Sequence, residues 1–453
     1  MSAEIANIAD KDASLAELER LAEVAQDVLR RCRAAGADET EVAASVDVGL
    51  NVSVRLGETE TIEHTRDRSV GVTVYFGKRK GSASTADLNP DSIAKTVEQA
   101  CAIARYTELD PAAGLADAAR MARRFPDFDL WHPWDIDVER AIALGLEIED
   151  AGRSVAGITN SEGASVQAGQ ALAVYANSHG FVGCERGTRH MLSVSLLAED
   201  ASGMQSDYWY DSVRSPGDFQ PAASIGLRAA ERVLSRLGAQ SLSTRQCPVL
   251  FAPEVARSLI GHLLSAVSGG ALYRKASFLL DACGKRVLPE FVDLIEEPHL
   301  LRGHASAAFD AEGVETRRSA LVEAGVLQRY LLSSYSARKL GLESTGNAGG
   351  VHNLVVRSGP DDFAAMLRRL DTGLYVTQLM GQGVNGVTGD YSRGAAGFWV
   401  ENGAIVYPVD EVTIAANLRD VYAGIVAIGN DVDPRSHLLC GSILVERMTV
   451  AGA

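Results

Sequence analysis

The apolar residues at the start of the chain follow two successive periods. A helical period comes first and predicts a helix, with Ser14 and Glu17 as its capping box and Gly36 at its end. Apolar residues then occupy alternate positions over 46–56 and again over 70–76, which predicts two half-buried strands. We expect a middle strand near 61–64 in the polar stretch between them, so that the three strands form an antiparallel meander.

Helices and strands continue to alternate up to about residue 240. Asn89 followed by Pro90 is typical of a helix start, and further helices are predicted over 137–155 and 222–237. Additional strands are predicted over 171–175 and 191–197. These elements predict an N-terminal mixed α/β domain in which helices cover an antiparallel sheet.

The pattern changes after the small polar residues 240–246. One apolar strand over 248–251 and one helix over 253–268 precede a region made mainly of strands and glycine-rich turns. We therefore predict an α+β protein with two domains. Residues 1–240 would form the N-terminal α+β domain, and residues 241–453 a β-dominated domain with one core helix.

Composition and charge narrow the possible partners. The chain has 453 residues, a net charge of -16 and a pI near 5.1. Nucleic acid is not an expected partner, because binding to its backbone depends on clustered Lys and Arg. No apolar run approaches the roughly 20 residues of a membrane-spanning helix. The first residues lack the features of a secretory signal, and the six cysteines are scattered singly, so we expect a soluble cytoplasmic protein.

Three glycines match the G-x-G-x-x-G pattern of dinucleotide sites, namely Gly381, Gly383 and Gly386. In such sites the glycines open a helix whose N-terminus faces the pyrophosphate. Here residues 388–394 read as turn and loop instead. We interpret the glycines as tight turns of a β-rich domain, because glycine adopts positive φ without penalty.

Candidate residues for hydrolysis are few. The nine histidines include no pair four residues apart and no His-Glu dipeptide, so the usual helical zinc motif of metalloproteases is missing. His299 and His304 are interpreted as loop residues. Ser336 and Lys339 have the spacing of a Ser/Lys nucleophile pair, although a helical turn with surface cations would show the same spacing.

Eight longer segments carry a more specific signal than any of these motifs. They are Ala104–Thr107, Asn177–Gly180, Leu259–His262, Leu272–Lys275, Ser334–Gly341, Ser344–Gly350, Gly389–Gly394 and Gly397–Gly403. In order along the chain, from about residue 15 onwards, the sequence resembles the TldD/PmbA family, and within it the PmbA (TldE) type of subunit.

The resemblance implies a function. In this family a TldD-type subunit binds zinc through a helical H-E-x-x-x-H motif and forms a heterodimer with a PmbA-type subunit that lacks the motif. The pair is a cytoplasmic protease of unfolded peptides, including leader peptides of ribosomally made antimicrobials and small antitoxin proteins. For this chain the resemblance implies no cofactor of its own, with zinc held by the partner subunit.

The zinc motif aligns with six residues when the basic pair at 274–275 anchors the alignment. These six are Gly261, His262, Leu263, Leu264, Ser265 and Ala266. Gly261 and Ala266 replace the two histidine ligands, and His262 replaces the catalytic glutamate. Cys440 lies near the position of a further cysteine ligand, but one ligand cannot hold zinc. We therefore assign no metal ligand and no catalytic residue, with His262 as the single candidate.

Three hypotheses follow from the sequence. The first is a partner subunit that completes the substrate chamber of a zinc protease, in which edge strands of the β-rich domain help to hold extended peptides. The second is an autonomous peptidase with an unrecognised site, for example Ser336 with Lys339. The third is a peptide-binding regulator without protease activity.

Overall fold

The computed structural model describes residues 11–201 and 203–452. Residues 1–10, with which the predicted N-terminal domain begins, lie outside the described residues. In the first half, the described chain forms four α-helices and six strands. The helices are α1 (Lys11–Ala34), α2 (Pro90–Tyr106), α3 (Val138–Arg153) and α4 (Ala222–Leu234). The strands are β1 (Glu39–Arg55), β2 (Glu58–Phe76), β3 (Arg79–Thr85), β4 (Ile158–Asn177), β5 (Val182–Asp200) and β6 (Gly203–Val213).

These six strands form one antiparallel sheet in the order β3-β2-β1-β4-β5-β6. One face of the sheet is apolar, because side chains alternate between the two faces of a strand. On β1 this face carries Val42, Ala44, Val46, Val52 and Val54, all buried. α1 and α2 cover one end of the face, and α3 and α4 cover the other. The predicted antiparallel sheet with covering helices is confirmed.

The other face of this sheet, which we call the polar face, carries small, hydroxyl and charged residues. On β1 these include Glu41, Asp47 and Gly49. The carboxylate of Glu41 accepts hydrogen bonds of 2.9 Å from the hydroxyls of Tyr75 and Tyr175, on the two neighbouring strands. Apolar residues cover this face only around Tyr75 and Tyr175. The rest of the polar face carries small and polar side chains.

Two details of the predicted first half are wrong. Ser14 does not cap α1 but lies inside it, fully buried, and accepts a hydrogen bond of 2.9 Å from Arg186 Nη1. The stretch 61–64 is not a separate strand, because β2 runs unbroken through it and pairs with β1 along its whole length. Residues 58–65 are exposed on both faces, so no apolar alternation marks this part of the strand.

The second half begins with β7 (Arg245–Phe251) and α5 (Pro253–Ala266), close to the predicted strand and helix. The described residues contain four more helices, of five to eight residues, which are too short to show a helical period in sequence. They are α6 (Gly269–Tyr273), α7 (Ser334–Leu340), α8 (Phe363–Leu370) and α9 (Leu418–Ala423). The remaining strands are β8 (Leu294–Glu296), β9 (Ser319–Glu323), β10 (Val326–Leu327), β11 (Leu354–Val356), β12 (Gly373–Met380), β13 (Asp390–Glu401), β14 (Ala404–Asn417), β15 (Ile425–Ile428), β16 (Leu438–Leu439) and β17 (Ile443–Ala451).

These strands form two sheets. The larger has the order β14-β13-β12-β7-β17-β15, and β14 also pairs with β17, so that this sheet curls back on itself. β17 pairs with β7 on one side and with β15 on the other. The smaller sheet has the order β10-β9-β8-β11-β16. The strand-rich second half confirms the predicted α+β class.

α5 is the central helix of the second half. Pro253 lies in its first turn, where the missing N–H costs nothing. The helix buries Ala256, Leu259, Ile260 and Leu263 in the largest apolar cluster of the described chain. α5 packs against β12 and β16, and Tyr422 Oη donates a hydrogen bond of 2.8 Å to its backbone at Leu259 O.

Polar contacts join the two halves. Arg214 Nη2 donates to His304 O at 2.6 Å, and Arg435 Nη1 donates to Tyr210 O at 2.8 Å. Further along the polar face, Tyr335 Oη donates to the Asp110 carboxylate at 2.7 Å.

The domain boundary at 240–241 remains a prediction. None of the helices in the described part of the chain combines the length and the apolar content needed to cross a membrane.

Candidate functional site

The six residues aligned with the zinc motif occupy the last part of α5. Leu263 and Ala266 point into the core, whereas Gly261, His262 and Leu264 are half-buried and Ser265 is exposed. Ser265 Oγ donates to Gly261 O at 2.9 Å, a bond within the helix. A Cβ atom at Gly261 would meet no other atom within 4 Å, so the side of the helix at this position is open.

His262 lies beside Tyr391 and Arg393, both on β13. Its ring meets the Tyr391 ring edge to face, with 5.9 Å between the ring centres. Burial and the nearby positive charge of Arg393 lower the pKa of His262, which keeps the imidazole neutral at pH 7. Burial raises the pKa of Tyr391 to about 12, against the opposing effect of Arg393.

Three buried polar atoms of this group have no hydrogen-bond partner among the described residues. They are His262 Nε2, Tyr391 Oη and Arg393 Nε. Two of them are donors, and the neutral imidazole can either donate or accept. The positive charge of Arg393 beside the imidazole disfavours a metal cation at this group.

The donor set at α5 does not fit zinc. Zinc sites use three or four Cys, His or carboxylate ligands, whereas the six aligned residues supply one imidazole with the cationic Arg393 beside it. Across the described residues, no group of three or more His, Cys, Asp or Glu side chains could hold a metal ion. Cys440 follows β16, a neighbour of α5, but its thiol is buried and burial raises its pKa, which disfavours the thiolate that zinc needs.

Ser336 and Lys339, on α7, are engaged in separate contacts. Ser336 forms a capping box with Ser333, and its hydroxyl lies 3.0 Å from the Ser333 backbone nitrogen. Lys339 Nζ binds the Asp110 carboxylate at 2.7 Å, and that hydrogen bond raises the pKa of the lysine. A serine nucleophile would need a neutral lysine with a lowered pKa. The contacts therefore support the helical-turn interpretation of this spacing.

The glycine motif lies in the loop between β12 and β13, so the element that follows it is a strand and not a helix. Gly383 is required by packing, because a Cβ there would lie only 1.9 Å from Ser392 O. The loop is held by a hydrogen bond of 2.7 Å from Ser392 N to Gly383 O. These contacts support the interpretation as tight turns and give the loop no phosphate-binding helix.

His299 and His304 lie in loops, as interpreted from the sequence. The His299 ring stacks on Phe128, and its Nε2 lies 3.1 Å from Thr316 Oγ1. Burial, followed by the charges of Arg189 and Arg214, lowers the pKa of His304 to about 4. The two imidazoles therefore have separate environments and do not form a ligand pair.

A cleft that was not predicted lies on the polar face, and we call it the sheet cleft. It has a volume of about 830 Å³. Its floor is formed by the polar face of β1, β4 and β5, and its walls by residues 125–131 and 306–309. The only signal in the sequence is the alternation of Glu185, Gly187 and Arg189 along β5, which predicts one common face but not what lies above it.

A fully paired carboxylate lies near this cleft. Glu296, on β8, is buried, and its Oε1 accepts hydrogen bonds from Asn347 Nδ2 at 2.8 Å and His352 Nδ1 at 2.9 Å. Its Oε2 accepts from Arg329 Nη2. Burial opposes ionisation, but the hydrogen bond from His352 and the charge of Arg329 hold the pKa of Glu296 below its ordinary value. We interpret these four residues as a structural network.

Comparison with known proteins defines the class. Models of the PmbA/TldA metallopeptidase match in three parts: domain 1 over residues 40–104, the central domain over 131–237 and the C-terminal domain over 244–452. The fold and these matches define a metallopeptidase-type α+β protein. The chain belongs to the PmbA/TldD family.

Individual relatives agree with this assignment. The chain is 50% identical over 416 residues to Metalloprotease PmbA of Escherichia coli O157:H7, covering 92% of both chains. It is 48% identical to the Metalloprotease PmbA homolog of Haemophilus influenzae, covering 91% of this chain and 92% of that one.

Solved structures share the fold. A proposed modulator of DNA gyrase from Bacteroides thetaiotaomicron has a TM-score of 0.90 at 27% identity, with 95% of this chain and 98% of that chain covered. TldE from Thermococcus kodakarensis has a TM-score of 0.83 at 21% identity, with 95% and 100% covered, a likeness of fold alone.

Proposed function

We propose that this chain is the partner subunit of a cytoplasmic two-subunit metalloprotease, in which a TldD-type subunit holds the zinc. The observation that carries the proposal is the chemistry of α5. The helix is retained and well packed, yet its six aligned residues offer one imidazole next to a cationic arginine. A chain with this donor set contributes walls and stability to a shared chamber, while hydrolysis takes place on the other subunit.

The proposed substrates are unfolded peptides, such as leader peptides and small antitoxin-like proteins. Support comes from the relatives named as metalloproteases and from the open polar face, where polar and small side chains leave room for extended chains. The net charge of -16 argues against nucleic acid as a further partner. The cytoplasmic location is part of the proposal.

The test is to purify the full chain alone and together with a paralogue that contains H-E-x-x-x-H. We expect the chain alone to hold no stoichiometric zinc and to leave an unstructured peptide intact. The co-purified pair should hold zinc and cleave the peptide, and a chelator should abolish cleavage. About one tightly bound zinc per isolated chain would overturn the proposal.

Variants separate the alternatives. His262→Ala in this chain should leave the activity of the pair unchanged, whereas replacing the motif glutamate of the zinc subunit should abolish it. If the isolated chain cleaves peptides in the presence of chelator and Ser336→Ala stops the cleavage, the autonomous peptidase is correct instead. Peptide binding without any zinc paralogue in the same genome would favour a regulator.

A further inference from the structure

The floor of the sheet cleft exposes backbone because its side chains are small. Gly49, Gly169, Ala171, Ala173 and Gly187 lie on the polar face of three adjacent strands. The cleft volume of about 830 Å³ lies within the range of roughly 300–1,000 Å³ that is typical of ligand sites. The cleft therefore has room for several residues of an extended peptide.

Glu185 lies on this floor without a bound partner. Among the described residues its carboxylate has no hydrogen bond and no ion pair. The side chain is accessible to solvent from the cleft, yet the walls surround it closely. Burial raises the pKa of Glu185 to about 7, and the neighbouring His352 opposes this only in part. A carboxylate in such surroundings gains more than an ordinary surface carboxylate from a bound cation.

Other carboxylates of the cleft add to the negative potential. Asp47, on β1, has a raised pKa because of burial and of the nearby Asp67 on β2. Asp127 and Asp129 lie on the wall, where Asp129 is paired with Arg302 at 2.6 Å.

The arginines of the cleft are directed elsewhere. Arg186 reaches Ser14 on the helix side of the sheet, and Arg214 is bound to the carbonyl of His304. Arg189 Nε donates to Ser212 at 3.2 Å, and its charge acts on His304 and His437. None of the three forms an ion pair with Glu185 in the described chain.

Aromatic rings line one wall of the cleft. Phe309 packs edge to face against Phe125, with 5.9 Å between the ring centres, and Phe128 is part of the same apolar cluster. Rings of this kind offer apolar surface to a side chain that lies next to a charged group. A carboxylate beside an apolar wall matches a peptide that carries a cation next to an apolar residue.

We propose that the sheet cleft binds an extended peptide segment through a cationic group that pairs with Glu185. The cation is an α-ammonium group or a Lys or Arg side chain, and the aromatic wall takes an adjacent apolar residue. This inference rests on the proposed function, because it assigns to the partner subunit the selection of peptides for the zinc subunit.

The test is isothermal titration of the full chain at pH 8 with three six-residue peptides. One is capped at both ends and has a central lysine next to phenylalanine. The second has norleucine instead of lysine, and the third has norleucine and a free N-terminus. We expect the lysine peptide, the free-amine peptide or both to bind about tenfold or more tightly than the neutral peptide. Whichever charged peptide binds more tightly than the neutral one shows whether the cation is a lysine side chain or an α-ammonium group.

Variants localise the effect. Glu185→Gln should reduce the affinity for charged peptides to that for the neutral peptide, which should itself not change. Glu63→Gln is the matched control, because Glu63 lies on the polar face but outside the cleft. It should leave every affinity unchanged. Urea midpoints of both variants check that the fold is intact.

Four outcomes would overturn the inference. The first two are equal affinity for charged and neutral peptides, and no binding of any peptide at millimolar concentration. The third is an equal loss of affinity for all peptides in Glu185→Gln. The fourth is that Glu185→Gln changes assembly with the zinc subunit but no peptide affinity. The last would make Glu185 an interface residue. Because binding is measured on the isolated chain, a chain that binds cationic peptides but forms no active pair would contradict only the proposed function.

Discussion

Glu296 and Glu185 are two carboxylates that both interact with His352, and their surroundings are opposite. Glu296 accepts hydrogen bonds from three side chains and has a lowered pKa. Glu185 has no such contacts among the described residues, and its pKa is raised to about 7. The first carboxylate is already neutralised inside the protein and stabilises the fold. The second keeps its capacity for a cation from outside, which is the property expected of a binding residue.

The largest expected effect concerns the paired carboxylate. Glu296→Gln leaves Arg329 buried without a counter-charge, and we expect a loss of about 3–5 kcal/mol in the free energy of unfolding. Urea unfolding followed by circular dichroism measures this. Glu297→Gln is the control, since Glu297 pairs with the largely exposed Arg318 and should cost less than about 1 kcal/mol. Similar losses of unfolding free energy in both variants would contradict the structural role of the Glu296 ion pair.

An effect of intermediate size is expected from the pH dependence of Glu185. Because its pKa is higher in the folded than in the unfolded chain, the folded state binds more protons between about pH 4.5 and 7. Its ionisation therefore reduces stability as pH rises through this window. Glu185→Gln should be more stable than the parent chain at pH 8 and approach it near pH 4.5, as measured by urea midpoints. A constant difference across pH would contradict the unpaired state of Glu185.

Ser336, like Glu296, is a polar residue that already has hydrogen-bond partners inside the protein. Ser336→Ala removes one half of the capping box of α7, and we expect a loss of about 1 kcal/mol in the free energy of unfolding. Peptide cleavage by the assembled pair should not change. Thermal unfolding and an activity assay on the same samples separate the two effects. A loss of activity with normal stability would revive the Ser/Lys hypothesis.

The smallest expected effect is a gain of stability at Gly261. The side of α5 at this residue is open, and alanine has a higher helix propensity than glycine, so Gly261→Ala should stabilise the chain by about 0.5–1 kcal/mol. Ala256→Gly, on the buried side of the same helix, is the control and should destabilise it. If Gly261→Ala destabilises the chain, this side of α5 is packed rather than open.

The sequence predicted the features that depend on local periodicity. The alternation at 46–56 and 70–76 indicated β1 and β2, and Asn89 with Pro90 marked the start of α2, where Asn89 caps the helix. The family and the α+β class also followed from the sequence. Polar segments without apolar alternation were not predicted as parts of longer strands. An example is the first part of β2, which is a strand because its backbone pairs with β1.

The candidate site was predictable only in part. The prediction that residues 261–266 lack zinc ligands comes from the sequence alone, whereas the neighbours of His262 cannot be predicted from it. Tyr391 and Arg393 lie far along the chain and reach the helix only through the curled sheet. The sheet cleft depends on the register of β1, β4 and β5 and on two distant wall segments. The hydrophobic pattern of a single strand shows neither its register nor the position of a distant wall segment.

The position of β17 bears on the order in which the chain can fold during synthesis. β17 lies between β7 and β15, so the larger sheet of the second half stays incomplete until this late segment has been made. The first sheet, by contrast, uses only strands from the first half and can close while translation continues. During that interval β7 and α5 expose apolar surface that only later strands cover. Ribosome-bound chains that stop before β17 should therefore recruit chaperones more strongly than chains that stop after α4.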